Sequence, residues 1–162
     1  MKIQKRRRRQ NKTDYLKRLK LLKSEKPRIV FRKTNKYIIA QYVESDEAQD
    51  KVVFGINSKD LLSHGWDEKA KGSLKSITAS YLTGYFAGKK ILKENLETPI
   101  VDLGMIRVLH KTKVFAFIKG LIDAGVEIAT KEEAFPEEER ISGEHLKNKV
   151  DVKKIKMNLE KI

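Results

Sequence analysis

Arg28 to Glu44, RIVFRKTNKYIIAQYVE, is the stretch on which the fold turns. β-branched and aromatic residues dominate Arg28 to Lys33 and Tyr37 to Val43, and Asn35-Lys36 stand between them, which is the pattern of a β-hairpin. KVVFGIN, Lys51 to Asn57, supplies a third strand, reached through an acidic polar loop at Ser45 to Asp50. Its sequel SKDLLSHGW has Ser58 as a helix cap and Gly65 as the stop.

Beyond a loop at Lys69 to Ser73, the longest helix spans roughly Ser76 to Glu94. Its apolar stripe is Ala79, Leu82, Phe86, Ile91 and Leu92. Gly84 and Gly88, four residues apart, each cost about 1 kcal/mol against alanine in a helix, so this spacing predicts a close backbone approach, here to the sheet. TPIVDLG, Thr98 to Gly104, is a further strand. KVFAFIKGLIDAG is a second amphipathic helix from about Lys113 to Gly125, and GVEI suggests a short edge strand. Strands followed by helix, strand and helix predict an α/β fold with a mixed β-sheet covered by helices.

The N-terminal side of the hairpin differs in kind. Residues 1–36 hold 16 Lys or Arg against only Asp14 and Glu25, which leaves 20 basic and 20 acidic groups in the other 126 residues. The whole net charge of +14 therefore lies at one end. Such concentration beside a neutral body fits a surface that lies against phosphates. Residues 1–12 lack apolar periodicity and are expected to be disordered until bound. Thr13 then caps a short basic amphipathic helix with Tyr15, Leu16, Leu19 and Leu22 on one face and Lys17, Arg18, Lys20 and Lys23 on the other. At the other end, residues 131–144 are acidic, and Val152, Ile155, Leu159 and Ile162 predict a terminal amphipathic helix.

With no cysteine in 162 residues, disulfides, thiolate nucleophiles and Cys-based zinc sites are excluded, and a reducing, cytosolic setting fits best. No window nears the roughly 18 apolar residues of a membrane span, and no apolar signal core follows the basic start, so a soluble chain that keeps its N-terminus is expected. His64, His110 and His145 lack metal-ligand spacing, and nucleotide-binding and acyl-transfer motifs are missing. Asp102, on a strand expected to be central, and Asp123 are the one carboxylate pair that metal-assisted nucleic-acid cleavage could use. A strand-end hydrogen bonder and a helix-terminal acid explain them more simply. Against this, KRRRRQNKTDY, PRIVFRKTNKY and HKTK combine Arg, Lys, Asn, Gln and Tyr, the residue types that hold phosphates and stack on or read bases.

The order RRRRQNKTDYLKRL, KPRIVFRKTNKYIIAQYV, HGW, SYLTGYFAGKK, VDLG, KVFAFIKGLIDAGVEI and EERISGEHL resembles the archaeal form of the L-eighteen family of large-subunit ribosomal proteins, related to the eukaryotic L-five protein. The resemblance covers roughly residues 5–147. It implies a non-enzymatic binder of 5S rRNA in the central protuberance that also contacts the large-subunit rRNA and neighbouring large-subunit ribosomal proteins, in the cytoplasmic ribosome. It also implies a ribonuclease-H-like topology, with no cofactor, no membrane contact and no small-molecule substrate.

Carried onto this chain, the resemblance implies RNA-binding positions at Lys5, Arg6, Arg7, Arg8, Arg9, Lys12, Thr13, Tyr15 and Arg18 in the arm and first helix. It adds Arg28, Arg32, Lys33, Asn35, Lys36 and Gln41 in the hairpin, and Lys111 and Lys113 in a loop reading RVLHKTK where relatives often read PTKGSK or PTPGSK. The expected division is a basic arm and short helix at 1–26, an α/β core at 27–130, and a charged extension with a helix at 131–162. A non-ribosomal RNA- or DNA-binding protein or chaperone, and a metal-dependent nuclease using Asp102 and Asp123, are the alternatives.

Overall fold

The computed structural model describes residues 3–47, 49–144 and 150–161. His145, Leu146 and Ile162, which figure in the sequence expectations, lie outside them. The basic end forms α1 (Arg6–Arg9) and α2 (Tyr15–Leu22). Next come β1 (Arg28–Lys33), β2 (Ile38–Asp46) and β3 (Gln49–Asn57), then 3-10 turns at Ser58–Leu62 and Glu68–Ser73. The chain continues with α3 (Ile77–Lys93), β4 (Ile100–Asp102), α4 (Lys113–Ala124), a 3-10 turn at Glu132–Ala134, α5 (Glu138–Ser142) and α6 (Val152–Glu160). No helix among the described residues is long and apolar enough to cross a membrane.

The expected mixed sheet is present, in the order β3-β2-β1-β4. β1 and β2 pair antiparallel from Arg28↔Val43 to Lys33↔Ile38, and β4 runs parallel to β1 with Val30 opposite Asp102. Asp102 therefore stands on an edge strand. Residues 126–131 form no strand, so the edge strand expected at GVEI is not made. The acidic stretch at Ser45 to Asp50 is not a loop either: the β2–β3 pairing runs on to Asp46↔Gln49.

Alternation decides the two faces of the sheet. Ile29 and Phe31 of β1 and Ile38, Ala40 and Tyr42 of β2 are buried in one cluster with Ala87 and Ile91 of α3 and Phe117 and Leu121 of α4. Arg28, Val30 and Arg32 take the opposite face.

Ser76 caps α3 by accepting a hydrogen bond from the Ala79 amide at 3.1 Å, and Gly125 ends α4 with φ 111°. Gly84 and Gly88 do mark a close approach, but to α4 rather than to the sheet. A Cβ on Gly84 would collide with the Phe117 carbonyl, and one on Gly120 with the Tyr81 carbonyl. The two helices meet backbone to backbone because each is glycine where they cross.

A second cluster lies on the far side of α3, where Leu61, Trp66, Leu74, Tyr81 and Leu82 meet Ile141, Ile155 and Leu159. The terminal helix thus packs on α3. Tyr85 donates to Glu160 at 2.7 Å, and Asn158 donates to the His64 carbonyl at 2.9 Å. Asn57, not Ser58, caps the first 3-10 turn, and the Ser58 hydroxyl accepts from the Ile38 amide at 3.0 Å.

Candidate nucleic-acid interface

Four consecutive arginines repel one another, yet Arg6–Arg9 form one helical turn rather than an extended arm. Asn11, with φ 51°, turns the chain back so that the Lys12 amide reaches the Arg7 carbonyl at 2.9 Å. Side chains hold the fold-back: Arg7 Nε donates to Thr13 Oγ1 at 2.9 Å, Arg8 pairs with Asp14 at 3.4 Å, and Lys5 lies 4.7 Å from the Tyr15 ring centre. Asp14 also caps α2, accepting from the amides of Leu16 and Lys17, so the cap lies one residue beyond Thr13.

The orientation of α2 inverts the amphipathic expectation. Lys17 donates to the Gly104 carbonyl at 3.2 Å, and Arg18 pairs with Asp50 at 2.9 Å. These two cations face the domain, while Leu16 is 74 % and Leu19 51 % exposed. Charge-assisted hydrogen bonds from Lys17 and Arg18 help hold the helix, with Leu21 and Leu22 half-buried and Leu16 and Leu19 left outside.

Arg28, expected to face RNA, is only 2 % exposed. Its guanidinium donates to Asp102 at 3.0 Å, Asp50 at 2.7 Å and Ser45 at 2.9 Å. The open face of the sheet is closed at this end, so Arg28 supports the surface from beneath. Burial pushes the Asp50 carboxyl upward, but hydrogen bonds from Arg18 and Ser45 and the charges of Arg28 and Arg18 outweigh it, holding Asp50 below the ordinary 3.8. Arg32 is anchored through the Asp102 carbonyl at 2.9 Å but keeps part of its guanidinium in solvent.

Two places gather the expected residues. A cleft of about 140 Å³ is lined by Arg7, Lys12, Thr13, Arg18 and Arg32, together with Lys17, Asp14 and Asp102. A groove of about 480 Å³ lies between β1 and the start of α4; Lys33, Lys111 and Lys113 line it with Arg107 and Arg140 over Phe31, Ile77, Ile106 and Val114. Burial lowers the pKa of Lys113, and the charges of Lys33 and Lys75 lower it further.

The remaining positions are dispersed. Arg6 and Arg9 are exposed on the arm, Asn35 and Lys36 are exposed at the hairpin tip, and half-buried Gln41 lies across from Gly55 on the open sheet face. The tip is closed by Thr34, whose hydroxyl donates to the Tyr37 carbonyl at 2.8 Å. Lys17 is read in the sequence only as part of the basic face of the first helix, and Lys75, Arg107 and Arg140 are not among the expected RNA-binding positions. Arg107 adjoins the HKTK loop, which was the one available signal. Arg140 lies in an acidic run that hides it.

Asp102 and Asp123 do not form a joint site. Asp102 serves Arg28, Arg32 and the Gly104 amide, whereas Asp123 accepts from Tyr81. Among the described residues no cluster of three or more acidic, His or Cys side chains could hold a metal ion.

A family model described as ribosomal large subunit proteins 60S L5 and 50S L18 matches residues 1–101. The large ribosomal subunit protein uL18 of Korarchaeum cryptofilum (strain OPF8) is 41 % identical over 145 residues, spanning 90 % of this chain and 72 % of that protein.

Proposed function

The chain belongs to the family of ribosomal large subunit proteins 60S L5 and 50S L18, and on that premise we propose that it binds 5S rRNA within the central protuberance. Its role is structural and non-enzymatic, as a constituent of the large subunit of the cytoplasmic ribosome. The finer proposal is that the arm from Lys5 to Arg9, the start of α2 and the hairpin form one RNA-binding surface, with large-subunit rRNA and neighbouring ribosomal proteins as further partners. The resemblance to a ribonuclease-H-like topology belongs with it, and the order β3-β2-β1-β4 is in keeping with that arrangement.

The convergence of Arg7, Lys12, Arg18 and Arg32 on one cleft carries the reading. Arginine forks suit phosphate oxygens, and each cation that meets a phosphate releases a condensed counterion. Lys33, Asn35, Lys36 and Gln41 extend the surface along the hairpin, and Lys111 and Lys113 extend it towards α4. Arg28 contributes by holding β1, β2 and β4 in register.

Filter binding of the full chain to 5S rRNA, an unrelated RNA and duplex DNA tests this. If about six to eight phosphates are neutralised, log K against log salt falls with a slope of roughly −4 to −7. Tighter binding to 5S rRNA than to the other two is expected. Equal affinity for all three would favour a general nucleic-acid binder or chaperone and defeat the ribosomal contact proposed here.

A further inference from the structure

The groove beside the start of α4 differs from the arm cleft in having an apolar floor. Ile77, Ile106 and Val114 form it with Phe31 at its base, and Leu109 stands exposed at its wall. Every charged residue lining it is a cation: Lys33, Arg107, Lys111, Lys113 and Arg140. Lys111 is paired with Glu137 at 3.0 Å, whereas Lys33 and Lys113 form no ion pair among the described residues. Lys113 is half-buried and crowded by Lys33 and Lys75. Uncompensated cations around an apolar floor call for a ligand that is flat and apolar at one end and anionic at the other.

We propose that this groove takes a single unpaired nucleotide of the bound rRNA, its base against Ile77, Ile106 and Val114 and its phosphate on Lys33 and Lys113. The inference rests on the rRNA-binding reading and adds to it a site for a splayed-out base. A volume of about 480 Å³ lies within the range of about 300–1,000 Å³ typical of small-ligand pockets. A duplex cannot present a base there, because its bases are stacked and paired, whereas loops and bulges can. An acidic peptide would satisfy the cations but leave the apolar floor without a matching face.

The test uses the full chain with isotope-labelled methyl groups and four probes: 5S rRNA, hexaadenylate, an abasic ribose-phosphate hexamer and hexaglutamate. With 5S rRNA and with hexaadenylate, the methyls of Ile77, Ile106, Leu109 and Val114 shift and show contacts to base protons. The abasic hexamer binds about ten-fold more weakly, the loss expected when one base face no longer buries against aliphatic side chains. Leu109→Ser, which removes the apolar wall at an exposed position without adding charge, reduces hexaadenylate affinity several-fold and leaves the abasic hexamer unchanged. Binding of 5S rRNA with these methyls unmoved, equal affinity for abasic and base-bearing hexamers, or hexaglutamate binding as tightly as hexaadenylate would each overturn the nucleotide site while leaving the arm interface standing. Failure to bind 5S rRNA at all would overturn the underlying reading and this inference with it.

Discussion

Arg28 and Asp102 form a buried ion pair across the parallel strands β1 and β4, with Nη1 donating to Oδ2 at 3.0 Å. The same carboxylate accepts from the Gly104 amide at 2.7 Å, so one side chain fixes both the strand pairing and the turn after β4. Removing one partner of a buried pair costs about 3–5 kcal/mol when the other charge is left unpaired. Arg28 would keep the partly exposed Asp50 at 2.7 Å, so Asp102→Ala is expected to lower unfolding free energy by about 2–3 kcal/mol in urea denaturation. A loss below about 1 kcal/mol would show that water replaces the carboxylate.

Asp50 makes stability depend on acid. Its pKa is below 3.8 in the folded chain, so the folded state binds fewer protons than the unfolded state in the window between the two values. The contribution is complete above 3.8 and is lost as pH falls through the lower folded value. Asp50→Asn should be less stable than the parent at neutral pH and should flatten the acid limb of the melting-temperature profile. An unchanged acid limb would contradict this.

Lys113 gives a pH slope of the same sign from the opposite cause, because in the fold its charged form is disfavoured whereas that of Asp50 is favoured. Its lowered pKa means that the unfolded chain binds more protons between the folded value and 10.5, so stability rises with pH across that window. Lys113→Met is expected to stabilise the free protein at pH 7 by at most about 1 kcal/mol, a small gain because solvent screens a half-buried site. The same variant should bind 5S rRNA more weakly. A lower melting temperature would mean that Lys113 has a stabilising partner.

At the α3–α4 crossing, Gly84→Ala places a methyl against the Phe117 backbone, whereas Gly72→Ala meets nothing within 4 Å. Overpacking costs about 1–3 kcal/mol. Calorimetry should show a loss of that size for Gly84→Ala. Gly72→Ala should stay within about 0.5 kcal/mol of the parent or gain slightly.

Asp14→Ala removes the α2 cap and the partner of Arg8 together. A cost of about 1 kcal/mol is expected, with loss of helical circular dichroism. Thr13→Ala releases only the Arg7 contact and should leave helicity unchanged.

The hairpin, the two long helices and the basic end were legible because alternation, helical spacing and charge density are local signals. What pairs with a charge is not local. Arg28 looked like an RNA contact because nothing near it in sequence reveals that Asp50 and Asp102 close around it. α2 looked like a leucine-faced helix because the acceptors of Lys17 and Arg18, the Gly104 carbonyl and Asp50, lie far along the chain. Gly84 and Gly88 announced a close approach without saying to what; Gly120 on α4 was the missing half. The acidic Ser45 to Asp50 resembles a loop by composition, yet the strands continue through it, with Asp50 paired to Arg28 and Arg18.

The outward leucines of α2 also govern how the free protein behaves in storage. Leu16 and Leu19 face solvent on a chain of net charge +14, so copies are kept apart by repulsion while the apolar patch invites contact. Repulsion reaches about 30 Å at 0.01 M salt and about 3 Å at 1 M. The concentrated salt that strips RNA from the cations thereby removes the barrier to self-association. Colloidal stability and RNA release run in opposite directions, and the protein freed of RNA is least dispersed in the solution that frees it.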